Sequence, residues 1–282
     1  MKTYYLELAG LRTALHTPGE IIISENLRHF LCPPHSETDC IIQLQSCDIL
    51  PAFAENGVWH GLEYYDCYQG AIRVFRCTAP HTAPYAVTQL FENGNVEIRV
   101  LPEYLSWFAG SEGIFNRIGM ETLLLQHKGL LLHASLIKYE DKSIAFTGPS
   151  GVGKSTQADL WKAHLGAQIL NGDRAALRLD QGTWMAYGSP YAGTSGIHKN
   201  DGAPLAAVVV LGQAQENRIS RLTETQALKY LYPELSVHHW DREFVAKATD
   251  LCLQLLTQVP VYLLECRPEE SAVLLAKKGL GL

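Results

Sequence analysis

The segment Gly148-Pro149-Ser150-Gly151-Val152-Gly153-Lys154-Ser155 constrains this chain more than any other. It satisfies the pattern GxxxxGK[ST] between an apolar run at residues 143–147 and a helical pattern with Leu160, Trp161 and Leu165 on one side and Gly166 at its end. Strand, glycine-rich turn and helix in that order aim backbone N–H groups and the positive end of a helix at one point, which suits a phosphate. Lys154 is placed to reach the β and γ oxygens, and the Ser155 hydroxyl to ligate Mg²⁺. Gly148, Ser150, Gly151, Val152, Gly153, Lys154, Ser155 and Thr156 are therefore the expected contacts for ATP or GTP.

Composition confines the phosphate chemistry to that site. The 23 Lys and Arg are outnumbered by 29 Asp and Glu, for a net charge of -6, so bulk attraction to nucleic acid is not expected. With 47% hydrophobic and 18% charged residues, the chain reads as a folded protein. No apolar stretch follows Lys2 and none approaches about 18 residues, so neither a leader nor a membrane partner is expected and the location reads as cytoplasmic. Seven cysteines without a CxxC spacing read as reduced thiols. Cys32, Cys40, Cys47, Cys67 and Cys77, near His29 and His35, match no zinc spacing.

At 282 residues, against about 150 per domain, two domains are expected. Residues 1–104 read as β-rich, with strands at 4–8, 21–24, 41–44, 71–77, 85–91 and 96–101, the last two joined by a turn containing Asn93-Gly94. Residues 105–282 read as α/β. They carry a helix over 115–126, strands at 130–137, 143–147 and 167–170, and a hairpin of 176–179 with 183–187 about Asp180-Gln181-Gly182. A strand at 205–211 follows, then a helix through Phe244, Ala248, Leu251, Cys252 and Leu255 stopped by Pro260, a strand at 261–264 and a last helix opening near Pro268.

The acid that follows the loop separates the reaction classes. Asp173 falls fewer than twenty residues after Lys154, behind a short strand, and serves there as a metal ligand or a base. ABC-type and RecA-type ATPases place their second acid far later, and no LSGGQ segment is present. A guanylate kinase opens with a similar loop rather than carrying it behind a long first half.

The loop form GxSGxGK[ST], met by Gly148, Ser150, Gly151, Gly153, Lys154 and Ser155, the short spacing to Asp173, and His133 in His133-Ala134-Ser135 together resemble the HPr kinase/phosphorylase and phosphoenolpyruvate carboxykinase superfamily. The likeness covers residues 130–282 and is narrower still toward HPr-kinase-related proteins found near peptide-modification genes. It implies a P-loop kinase domain with a mixed sheet and transfer of a γ-phosphoryl group, with Lys154, His133 and Asp173 catalytic and Ser155 and Asp173 on the metal. In HPr kinases the acid is the second of an Asp-Asp pair, and Gly172 stands here in the first place. Neither the glutamate-containing segment of true HPr kinases nor the carboxykinase set for oxaloacetate is found. The expected acceptor is thus a hydroxyl on a peptide, protein or small molecule, recognised by the first half. Related assemblies add the expectation of a homo-oligomer.

The Gly-rich connection 188–200 is read as acceptor-binding or phosphate-closing, with Arg174, His198 and Lys199 as candidate charged contacts. The neighbouring His238 and His239 read as surface residues. Two other classes remain open: a nucleotide-binding regulatory module with little or no catalysis, and a small-metabolite or nucleotide kinase.

Overall fold

The computed structural model describes residues 1–52, 58–61, 65–69, 73–77, 84–91 and 93–282. The chain divides into two compact units, Met1–Gln126 and His127–Leu282, and each contains a mixed sheet, so the fold is mixed α/β.

In the first unit the strands are β1 (Lys2–Leu8), β2 (Leu11–Thr17), β3 (Cys40–Ser46), β4 (Val58–Gly61), β5 (Tyr65–Gln69), β6 (Arg73–Cys77), β7 (Ala86–Leu90) and β8 (Val96–Val100). They lie in the order β1-β2-β3-β8-β7-β6-β5-β4, with β2, β3 and β8 mutually parallel and the remaining pairs antiparallel. Ala9 and Gly10, at φ 53° and 72°, make the two-residue turn that joins β1 to β2. Residues 71 and 72 of the expected 71–77 strand lie outside the described residues.

Two expectations are corrected here. Residues 21–24 are not a strand: Ile22 makes an isolated bridge to Gly110, and the Ser24 hydroxyl caps the short helix α1 (Glu25–Arg28). The helix expected over 115–126 is two helices, α2 (Ser111–Ile118) and α3 (Met120–Gln126). Gly119 between them takes φ 70°, which a right-handed helix does not admit.

The second unit runs β9 (Gly129–Tyr139), β10 (Lys142–Thr147), α4 (Lys154–Leu165), β11 (Gln168–Asn171), β12 (Arg174–Asp180), β13 (Thr183–Tyr187), β14 (Gly202–Gln213), β15 (Arg218–Arg221), α5 (Glu224–Leu231), α6 (Arg242–Gln258), β16 (Val261–Cys266) and α7 (Glu270–Leu280). Its order β10-β9-β12-β13-β14-β16-β15 closes on itself, because β10 also pairs with β14. Strands β9 and β14 make this possible. Each is long and mostly buried, and each changes partners along its length.

Helix α4 packs its Trp161 ring against Phe146 and Tyr139, at centroid distances of 6.0 and 5.6 Å, and sits with Ile137, Ile144, Val209, Leu264 and Val273 in one core. Gly166 ends the helix in the left-handed region at φ 70°, with its N–H returned to Lys162 and Trp161 carbonyls. The phosphate loop is thereby fixed between a buried strand and a buried helix face. Trp161→Ala, at a fully buried position, is expected to cost about 3–5 kcal/mol, read as a lowered urea midpoint at unchanged slope.

Candidate functional site

The loop backbone has the shape its glycines foretell. Gly148, Gly151 and Gly153 take φ 134°, 78° and 114°, values closed to most side chains, and nothing lies within 4 Å of where a Cβ on Gly151 or Gly153 would stand. Ser150, Ser155 and Thr156 are exposed around this turn. Gly153 caps α4 without a side-chain hydrogen bond, so the first-turn N–H groups stay available to an anion. Lys154 is buried and donates through Nζ to the carbonyls of Gly148 at 2.7 Å and Pro149 at 3.2 Å. Burial pushes its pKa below the usual lysine range, opposed in part by the charges of Glu234 and Asp173.

Those two carboxylates belong to a second cluster, assembled on β9. Within the buried stretch 129–137, His133 is the one half-buried position. On one edge of β9, β10 pairs as far as Ala134 and then leaves for the phosphate loop, and Leu235 takes over by bridging Leu132 in the antiparallel sense. Continuing that register sets Glu234 opposite His133, and the contact is made: Nδ1 of His133 lies 3.1 Å from Glu234 Oε2. On the other edge β12 pairs Arg174 with His133, so Asp173 stands at the same level, its Oδ1 3.6 Å from His133 Nε2. A carboxylate accepts and cannot donate, so the ring nitrogen facing Glu234 carries the hydrogen. Asp173 Oδ1, at 3.6 Å, lies outside hydrogen-bond distance of Nε2, which in the neutral ring is the proton-accepting nitrogen. Glu234 is the most enclosed of the three, its side chain 13% exposed against 31% for Asp173 and 37% for His133.

Asp173 is held by Asn171, which is wholly buried. The Asn171 Oδ1 accepts from the N–H groups of Asp173 at 2.8 Å and Arg174 at 2.7 Å, while Nδ2 donates to the carbonyls of Ser189 and Tyr191, both at 2.9 Å. One side chain thus fixes both the acid and the start of the 188–200 connection. The connection returns with Gly172 N–H on the Ile197 carbonyl and Lys199 N–H on the Leu170 carbonyl. It crosses Asp173 at Gly193, whose φ is 54° and whose Cβ would lie 2.7 Å from that of Asp173. A Cβ on Gly172 would fall 1.9 Å from the Ser195 hydroxyl, so this connection leaves no room for a side chain at position 172.

The structure thus brings His133, Asp173 and Arg174 together at one level of β9, with Arg174 Nε 3.7 Å from Asp173 Oδ2 and its Nη1 donating to Ser236 at 3.0 Å. It places His198 and Lys199 along β11 instead: His198 bridges Asn171, and Lys199 is exposed. His238 stacks on Phe244 and Trp240, and His239 is exposed beside Tyr232. Sequence reasoning missed Glu234 and Asn171. The Asn171-Gly172-Asp173 string is an Asx-turn signal that could have flagged Asn171, whereas nothing local marks Glu234. Among the described residues no cluster of three or more His, Cys, Asp or Glu is arranged to hold a metal ion, and no helix is long and apolar enough to cross a membrane.

No family model matches the chain, and no curated protein matches it in sequence. Among solved structures it is similar to the HPr(Ser) kinase/phosphatase from Coxiella burnetii, at 10% identity and a TM-score of 0.32, over 53% of this chain and 95% of that one. A match of that size leaves the chemistry to be read from the residues themselves.

Asn171→Ala would strand two buried carbonyls and two N–H groups. A loss of about 2–4 kcal/mol is expected by chemical denaturation. The lowered Lys154 pKa gives a second expectation: binding of a triphosphate needs the ammonium form, so affinity falls as pH rises, beginning below the pH at which an ordinary lysine titrates. Titration calorimetry across the alkaline range would test this, and an affinity flat to the ordinary lysine range would refute it.

Proposed function

We propose that the second unit is a phosphotransferase that moves the γ-phosphoryl group of ATP or GTP to a hydroxyl on a peptide, a protein or a small molecule, with the first unit recognising that acceptor. The observation that carries this is the convergence of Glu234 and Asp173 on His133, at the level of β9 where β10 leaves for the phosphate loop.

The chemistry needs one bond made and one broken. The acceptor oxygen attacks the γ-phosphorus, the bond from that phosphorus to the β,γ-bridging oxygen breaks with its electrons leaving on the nucleoside diphosphate, and the hydroxyl proton passes to a base. His133 Nε2 is that base, and Glu234 holds the opposite Nδ1–H and stabilises the ring as it gains charge. Lys154 leaves the Gly148 and Pro149 carbonyls for the phosphate oxygens.

With the base role met by His133 and Glu234, Asp173 is free to act as a ligand. Ser155 and Asp173 offer hard oxygen donors and would hold Mg²⁺, which takes one or two protein ligands with the remainder from phosphates and water. Bound there, the ion supplies neutralisation of phosphate charge.

Purified protein with γ-labelled ATP, Mg²⁺ and a pool of peptides and metabolites tests the reading. Label on an acceptor supports it, and tight ATP binding with neither transfer nor release of phosphate favours a nucleotide-binding regulatory module. Lys154→Ala is expected to lower the rate about 10²- to 10³-fold, as for loss of a charge-stabilising donor. Glu234→Gln should lower kcat by about 10²-fold or more with nucleotide affinity kept. Asp173→Asn should weaken binding of the Mg²⁺-nucleotide complex, and the reverse pattern would exchange the two roles.

A further inference from the structure

On the phosphotransferase reading of the loop, we infer that the nucleoside of the bound nucleotide lies in a cleft outside the ends of β14 and β16, which directs the γ-phosphoryl group toward His133. The cleft has a volume of about 700 Å³ and borders the phosphate loop at Gly151 and Gly153, yet its wall contains none of His133, Lys154, Asp173 or Glu234. Strands β10, β14 and β16 run parallel, and ligands of such sheets bind beyond the carboxyl ends of the strands. A volume of this size is within the range of about 300–1,000 Å³ common to small-molecule sites.

Gln157, in the first turn of α4, also lines this cleft and is only 2% exposed, and its Nε2 has no hydrogen-bond partner. A buried amide left without a partner calls for an explanation, and an acceptor on a sugar or base supplies one. Across the cleft stand Gln215 and Arg267, an amide and a planar cation suited to the edge and face of a heteroaromatic ring. Gln213 ties this wall to the loop through its side-chain amide, 3.4 Å from the Gly151 carbonyl. A nucleotide lying from this wall across the loop carries its last phosphate toward the loop's start, where the Thr147 hydroxyl meets the His133 carbonyl.

Affinities for ATP and for inorganic tripolyphosphate, measured on the full chain by calorimetry, separate the two readings. The wild type should bind ATP at least tenfold more tightly than tripolyphosphate. Gln157→Leu, which keeps the volume, and Ala214→Trp, which fills the cleft, should each remove about tenfold of ATP affinity, the equivalent of about 1.4 kcal/mol, and leave tripolyphosphate unchanged. Equal wild-type affinities, or variants that weaken both ligands alike, would overturn the cleft assignment while the phosphate loop stands. Failure of the wild type to bind either ligand would overturn the phosphate-loop reading and this inference with it.

Discussion

The second unit is organised by one strand that keeps its course while its partners change. At His133 and Ala134, β10 departs from one edge of β9 and the segment from Glu234 takes its place, while on the other edge the chain turns through Gly172 and Asp173 between β11 and β12. A strand interior is normally shut on both edges by neighbouring backbone. Here two departures at one level leave room for side chains, and the hydrogen bonds of β9 above and below hold the opening in place. The Ala134 N–H on the Asp173 carbonyl at 2.9 Å and the Thr147 hydroxyl on the His133 carbonyl at 2.8 Å tie the two edges across that level. The phosphate loop begins one residue beyond Thr147, so its position relative to His133 follows from strand register.

Glycines and a buried amide then fit the 188–200 connection over the acid. Gly193 and Gly172 are required because Asp173 and the Ser195 hydroxyl occupy the space a side chain would need. Asn171 exchanges four hydrogen bonds with two backbone stretches, 173–174 and 189–191. Such a network is worth more than its bonds taken singly, because each missing partner would leave a buried polar group bare. The segment that sequence composition marks as a long flexible-looking connection is in fact anchored at its root, and its exposed stretches are residues 193–196 and 199–200.

What could be read from the sequence was what local chemistry dictates. The phosphate loop, the strand before it and the helix behind it declare themselves through glycine spacing and apolar periodicity, and Gln181 and Gly182, at φ 46° and 85°, form the tight turn expected between β12 and β13. Helix α5 carried an unused signal, since Thr223 and Gln226 form a capping box readable from their spacing. Strand β2 was passed over because its buried threonines and alanine interrupt the apolar alternation that marks a strand. Glu234 was beyond reach for a different reason. It is separated from His133 by 101 positions, and only the bridge of Leu235 to Leu132 makes them neighbours. Long-range register is a property of the assembled sheet, and no window of sequence contains it.

On the proposed phosphotransferase reading, charge balance explains why the site would need both carboxylates and a cation brought in with its substrate. Lys154 and Arg174 offset Asp173 and Glu234, so these four groups together present no net charge to a triphosphate of roughly four negative charges. A site built only to hold phosphate would omit the acids, because each one repels the ligand. The charges they set against Lys154 would raise the cost of nucleotide bound alone and reward nucleotide bound with a divalent ion, which would restore attraction to Asp173 and leave Glu234 to its histidine. On that reading the loop would supply grip, and the carboxylates would convert that grip into selectivity for the metal complex and into a place for the acceptor proton.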